Sequence, residues 1–145
     1  MNSFSRTLAA FGAAAILGAC STMSGMMGGS STQHVTLTGA NEVPAVDTSA
    51  SGSGTVTVNA DHTVSVKLDV TGMQAVAAHI HHGAKGANGP VIVPLTKTGA
   101  NEFTSPPGAK LSEEQYEAYK AGDLYVNVHS PQHKGGEIRA QLAPN

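Results

Sequence analysis

Between Gly54 and Val70 the chain alternates with a period of two, and this pattern limits the fold more than any other feature. Val56 and Val58 mark one face of a first strand, and Val64, Val66, Leu68 and Val70 mark one face of a second. Successive side chains of a strand point to opposite faces, so each run buries one side. Asn59-Ala60-Asp61-His62 between them is turn chemistry, which makes 54–70 a hairpin. The segments 33–38, 75–81, 91–95, 124–129 and 137–142 read as further strands. Pro94 has no N–H to give to a ladder and places 91–95 at an edge or a strand end. One segment reads as helix: Ser112 followed by Gln115 is a capping box, and Gly122 is a stop, so a helix is predicted near 112–121. About seven short strands with turn signals and one short helix predict an all-β chain folded as a Greek-key β-sandwich.

Composition narrows the function classes. Eight Lys plus Arg against ten Asp plus Glu give a formal charge of −2. That excludes the basic footprint of a nucleic-acid binder. The single cysteine excludes a disulfide framework, and the absence of Trp implies a small aliphatic core. Histidine is over-used, with seven in the chain.

The N-terminus reads as an address. Arg6 precedes an apolar run, 7–19, that is shorter than the roughly 20 residues a bilayer span needs. This is signal-peptide patterning. The run ends Leu17-Gly18-Ala19-Cys20, which resembles the lipobox of bacterial lipoproteins. The resemblance implies a signal over 1–19 and acylation of Cys20. Ser21, rather than Asp, follows the cysteine, which points to an outer-membrane anchor with the domain in the periplasm. Residues 20–32 read as a lipidated flexible linker, and 33–145 as the folded domain. Met23, Met26 and Met27 in the linker are either incidental or soft ligands for Cu(I).

The histidines carry the chemistry. In the strand 75–82, Val76, Ala78 and Ile80 are assigned to the core, so His79 and His81 project from the other face. Their β-carbons are then roughly 6–7 Å apart, close enough for both rings to reach one metal ion. By the same parity Leu124, Val126 and Val128 face inward, while Tyr125, Asn127 and His129 face outward. If the strands are neighbours, His129 joins the pair, and His133 could return through a turn as a fourth ligand. Tyr125, Asn127, Glu137 and Arg139 share the outward face and are the candidates to surround the ligands. An all-nitrogen set suits Cu(II), with Zn(II) as the alternative. The competing explanation for His79 and His81 is two solvated side chains at a strand end. His34 and His62 are expected to be solvated, and His82 structural. With an ordinary imidazole pKa near 6.5, proton competition would weaken metal binding between about pH 7 and pH 5. No phosphate-loop or serine-elbow motif is present in the sequence.

Five segments in this order resemble the CHRD domain, first named from chordin: LTGANEVPAV (37–46), GSGTVTV (52–58), AHIHHGAKGANGPVIVPL (78–95), LYVNVHS (124–130) and GGEIRAQL (135–142). The resemblance implies a β-sandwich, immunoglobulin-like or superoxide-dismutase-like, of a kind found in secreted bacterial proteins. His-Ile-His followed by a distant Val-His also resembles the copper-site strands of Cu/Zn superoxide dismutase. That likeness implies His79, His81 and His129 as copper ligands and Arg139 as a charge-guiding arginine. The zinc-site cluster and internal disulfide of that family have no counterpart here. Three readings follow: an envelope lipoprotein that buffers or delivers copper, a protein–protein interaction module with incidental histidines, and, third, a copper-dependent dismutase.

Overall fold

The computed structural model describes residues 29–144. The signal segment, Cys20 and the three linker methionines lie outside the described residues. The chain is all-β: β1 (Ser31–Thr38), β2 (Ser51–Val58), β3 (Val64–Thr71), β4 (Ala77–His82), β5 (Val91–Pro94), β6 (Thr96–Lys97), β7 (Glu102–Thr104), β8 (Leu124–His129) and β9 (Ile138–Leu142), with one helix, α1 (Glu113–Ala121), before β8. No helix among the described residues is long and apolar enough to cross a membrane.

The strands form one antiparallel sheet in the order β5-β4-β8-β9-β1-β2-β3-β7-β6. Its two outermost strands, β5 and β6, are separated in the chain by Leu95 alone, whose N–H donates to Ala78 O at 2.9 Å. The run 91–97 therefore pairs with one end of the sheet through β4 and with the other through β7. The sheet wraps on itself, nearly a barrel, with its two end strands joined through Leu95.

The wrapped sheet encloses a single aliphatic core. Leu37, Val56, Leu68, Ile80, Val126, Val128, Ile138 and Leu142 are buried in it, with Phe103 as the one large aromatic from the short strands. Gly52 and Gly54 sit where β2 passes closest to its neighbours. A Cβ on Gly54 would lie 2.0 Å from Lys67 O and 2.9 Å from Leu68 Cδ2, so a side chain there is excluded by the wrapping itself. The helix begins as its sequence requires: Gln115 N–H donates to Ser112 Oγ, Ser112 N–H donates to Gln115 Oε1, and Gly122 ends it in the left-handed region at φ +81°. It contributes Ala118 and Tyr119 to the core.

Three boundaries differ from the sequence reading. Ser31 and Thr32, assigned to the linker, already pair with Val58 and Thr57 in β1. Regular pairing of β4 starts at Ala77, after the irregular stretch 72–76, so the parity slips there: Ala75 is buried and Val76 is 48% exposed. The strands β6 and β7 escaped the reading because two or three residues are too few to show a period.

Candidate metal centre

The outward face of β4, β8 and β9 is not solvent-facing. Every residue of β8 is buried, including Tyr125, Asn127 and His129, which point away from the core. Loop 83–90 and the segments 39–49 and 130–137 contribute the partners and neighbours of these side chains. The result is a polar layer between sheet and loops, and a layer of that kind must satisfy its own hydrogen bonds.

Register brings the histidines together. Ala77 pairs with His129 and His79 with Asn127, which sets His79, His81 and His129 on one face of adjacent strands. One nitrogen from each ring lies within 4.8 Å of the others. His79 and His129 are closest, Nδ1 to Nε2 at 2.9 Å. Two nitrogens each about 2.0 Å from one ion would be that far apart at an N–metal–N angle of roughly 90°.

The protons are placed by the surrounding carbonyls. His129 Nδ1 meets Lys134 O at 2.9 Å, and His81 Nδ1 meets Gly89 O at 2.9 Å. A carbonyl only accepts, so each of these rings carries its proton on Nδ1 and presents a lone pair at Nε2. His129 Nε2 then accepts from His79 Nδ1. Among the described residues His81 Nε2 is buried without a hydrogen-bond partner. Anchoring the far nitrogen on a carbonyl is how metal-ligating histidines are oriented. To ligate through Nδ1, His79 must give up that proton, which its own Nε2 can hold instead. Burial, then the neighbouring His129 and His81, hold the His79 pKa down at about 4. His129 is lowered too, mainly by burial, with its bond to Lys134 acting in the opposite direction. His79 and His129 are therefore held neutral at neutral pH, the state a metal requires.

The residues expected around the ligands divide. Tyr125 lies flat against His81, ring centroids 4.7 Å apart and 5° from parallel, and its hydroxyl accepts from Gly89 N at 3.1 Å. Arg139 covers the other face of Tyr125 with its guanidinium carbon 3.4 Å from the ring centroid. Its Nη1 donates to Asn88 Oδ1, and its Nη2 donates to Ala87 O at 2.8 Å and to Ala84 O and Gln141 Oε1 at 3.3 Å. Arg139 is 1% exposed. It clamps loop 83–90 down and is not an exposed charge that guides a substrate, as the dismutase likeness implied. Asn127 Nδ2 donates to Gly135 O. Glu137 turns to Thr48, whose hydroxyl donates to Oε1 at 2.7 Å.

His133 is not brought into the trio. Its backbone makes the turn after β8, with Gly136 N–H and Ser130 N–H donating to its carbonyl, and its side chain lines separate surface depressions. His34 is exposed and His82 half-buried. His62, expected in solvent, is half-buried and stacks on Tyr116 at 4.2 Å, with Glu113 Oε2 3.6 Å from Nε2. The sequence reading gave no role to Glu42. It is buried under Gly136, where a Cβ would come within 2.4 Å of both Glu42 Oε1 and Asn127 Nδ2. Burial raises its pKa, while Arg139, Asn127 and the Val43 N–H act in the opposite direction.

No curated protein and no solved structure matches the chain. The family model for the CHRD domain matches residues 34–142, from within β1 to the end of β9, with all of the polar layer between. By that match the chain belongs to the CHRD domain family.

Proposed function

We propose that the protein binds copper through His79, His81 and His129 and serves to buffer or deliver it in the bacterial cell envelope, anchored by a lipid on Cys20. The observation that carries the reading is the convergence of three imidazole nitrogens within 4.8 Å of one another, one of them His81 Nε2, a buried acceptor that among the described residues has no hydrogen-bond partner. A buried acceptor without a donor is costly. Here it belongs to a ring held by a carbonyl and grouped with two more imidazole nitrogens. The all-nitrogen donors favour Cu(II), with Zn(II) as the alternative. A dismutase reading is weaker, because Arg139 is spent on the loop.

The test uses the chain purified without metal-affinity chromatography. Stoichiometric Cu(II) at pH 7 should raise the melting temperature and displace Zn(II). A ligand that binds only the native state adds about 2.7 kcal/mol at a hundredfold excess over Kd. A melting temperature unmoved by copper would sink the reading. For the anchor, Cys20→Ser should release the domain from the membrane fraction or block its processing. Normal processing with unchanged membrane association would place the anchor elsewhere.

A further inference from the structure

Among the described residues Asn127 Oδ1, like His81 Nε2, is a buried acceptor that meets no hydrogen-bond donor. Asn127 is 1% exposed, so water does not relieve it. The side chain is fixed by the device that fixes two of the histidines. His129 Nδ1 donates to Lys134 O, and Asn127 Nδ2 donates at 3.3 Å to Gly135 O, the next carbonyl of the same turn. His81 Nδ1 donates to Gly89 O. In each, the donor end is spent on a backbone carbonyl and the acceptor end is left over. Reversing the Asn127 amide would set two acceptors, Oδ1 and Gly135 O, face to face, so the carbonyl decides which end is oxygen. Glu42 Oε1 stands on the nitrogen side too: it and Asn127 Nδ2 are the two atoms nearest to where a Cβ on Gly136 would lie. Register places the oxygen. β8 lies between β9 and β4, and Asn127 is opposite Arg139 on one and His79 on the other. Gly135 leads into β9, and Glu42 follows β1, the strand beyond β9. The nitrogen is thus drawn to the β9 side, which leaves Oδ1 the β4 side, where His79 stands. Directly opposite residues have β-carbons about 4.5–5.5 Å apart. His129 follows two residues later on the same face.

We infer that Asn127 Oδ1 is the fourth ligand of the metal centre, adding one oxygen to the three imidazole nitrogens. The inference rests on the copper reading above and takes the place that spacing alone assigned to His133. Amide oxygen is a hard donor, whereas Cu(I) is selected by soft ligands. The oxygen therefore adds to the binding of Cu(II) and little to that of Cu(I), and the centre discriminates between the two oxidation states through this one side chain.

The experiment compares Asn127→Leu and Asn127→Asp with the wild type in the full chain. Affinities for Cu(II), and for Cu(I) under reductant, are read by chelator competition, and the Cu(II) centre by electron paramagnetic resonance. Both variants lose the N–H that bonds Gly135 O, and only Asn127→Asp keeps an oxygen at the same reach. Asn127→Leu should lower Cu(II) affinity by about tenfold or more, the least that loss of an outer-shell partner costs. Its Cu(II) spectrum should change and its Cu(I) affinity should not. Asn127→Asp should bind Cu(II) at least as tightly as the wild type. Asn127→Ser, too short to reach the ion, should show the loss expected of Asn127→Leu and replaces it if that variant melts early. Wild-type Cu(I) affinity in each variant reports that the three imidazoles are still in place. Equal losses of Cu(II) in Asn127→Leu and Asn127→Asp would make Asn127 a positioning residue of the turn and overturn the inference. Unchanged Cu(II) affinity and spectrum in Asn127→Leu would overturn it as well. Failure of the copper reading itself appears elsewhere, as a wild type that takes up no more Cu(II) than the His79→Ala/His81→Ala/His129→Ala variant, and that result would overturn both.

Discussion

Alanine at His79, His81 or His129 should each lower Cu(II) affinity by about a hundredfold or more, because loss even of an outer-shell partner costs about 10–100-fold. The triple variant should lose the tight ion. Alanine at His34, which is exposed, or at His62, which stacks on Tyr116, should leave it in place. Equal affinity in the triple variant and the wild type, read by competition with a chromogenic chelator, would remove the site. The same titration across pH separates the folded site from a row of ordinary imidazoles. Ordinary imidazoles would release the metal between about pH 7 and pH 5. With His79 held at about 4 and His129 also lowered, protons compete at these two rings only at more acid pH. Copper should therefore be released at more acid pH than such a row would release it. The metal-free fold responds through the same groups. The unfolded chain protonates His79 near 6.5 and the folded chain near 4, so the unfolded state holds more protons between these values. Stability from this residue is complete above about pH 6.5 and is lost as pH falls through 4. A melting temperature flat from pH 7 to pH 4 would contradict that linkage.

The trio was legible because it needs only parity. His79 and His81 alternate with Ile80, His129 alternates with Val128, and two adjacent strands suffice to join them. The hairpin of β2 and β3 and the capped helix were legible for the same reason, being set by near neighbours in the chain. Coverage was not legible. Parity turns Tyr125, Asn127 and Arg139 outward, and nothing in it tells that loop 83–90 lies on top of them. Glu42 was missed because a carboxylate in a loop has no period, and its burial depends on Gly136, almost a hundred residues later. His133 was drawn toward the trio by its spacing from His129. The turn instead spends its backbone on closure and leaves the ring to a different surface.

Arg139→Leu should cost about 3 kcal/mol or more, the largest stability loss expected from a single side chain in the polar layer. The guanidinium holds two loop carbonyls, Ala84 O and Ala87 O, together with Asn88 Oδ1 and Gln141 Oε1, and covers Tyr125. Each acceptor left buried without a donor costs about 1–3 kcal/mol, less whatever the loop recovers by turning to water. For a domain of this size the melting temperature should fall by roughly 10 °C. Arg139→Lys should not restore it, since an ammonium lacks the planar fork that reaches several acceptors at once and stacks on a ring. The loop is also the anchor of a ligand: Gly89 O takes the His81 Nδ1 proton, and Gly89 N–H reaches the Tyr125 hydroxyl. Loosening 83–90 should therefore weaken copper by about 10–100-fold while all three ligands remain. Hydrogen exchange gives the independent readout, with faster exchange expected at Gly83 and Ala87, whose N–H groups bond Asp123 O and Ala84 O. Unchanged exchange there, with an unchanged melting temperature, would mean that the loop holds its place without Arg139.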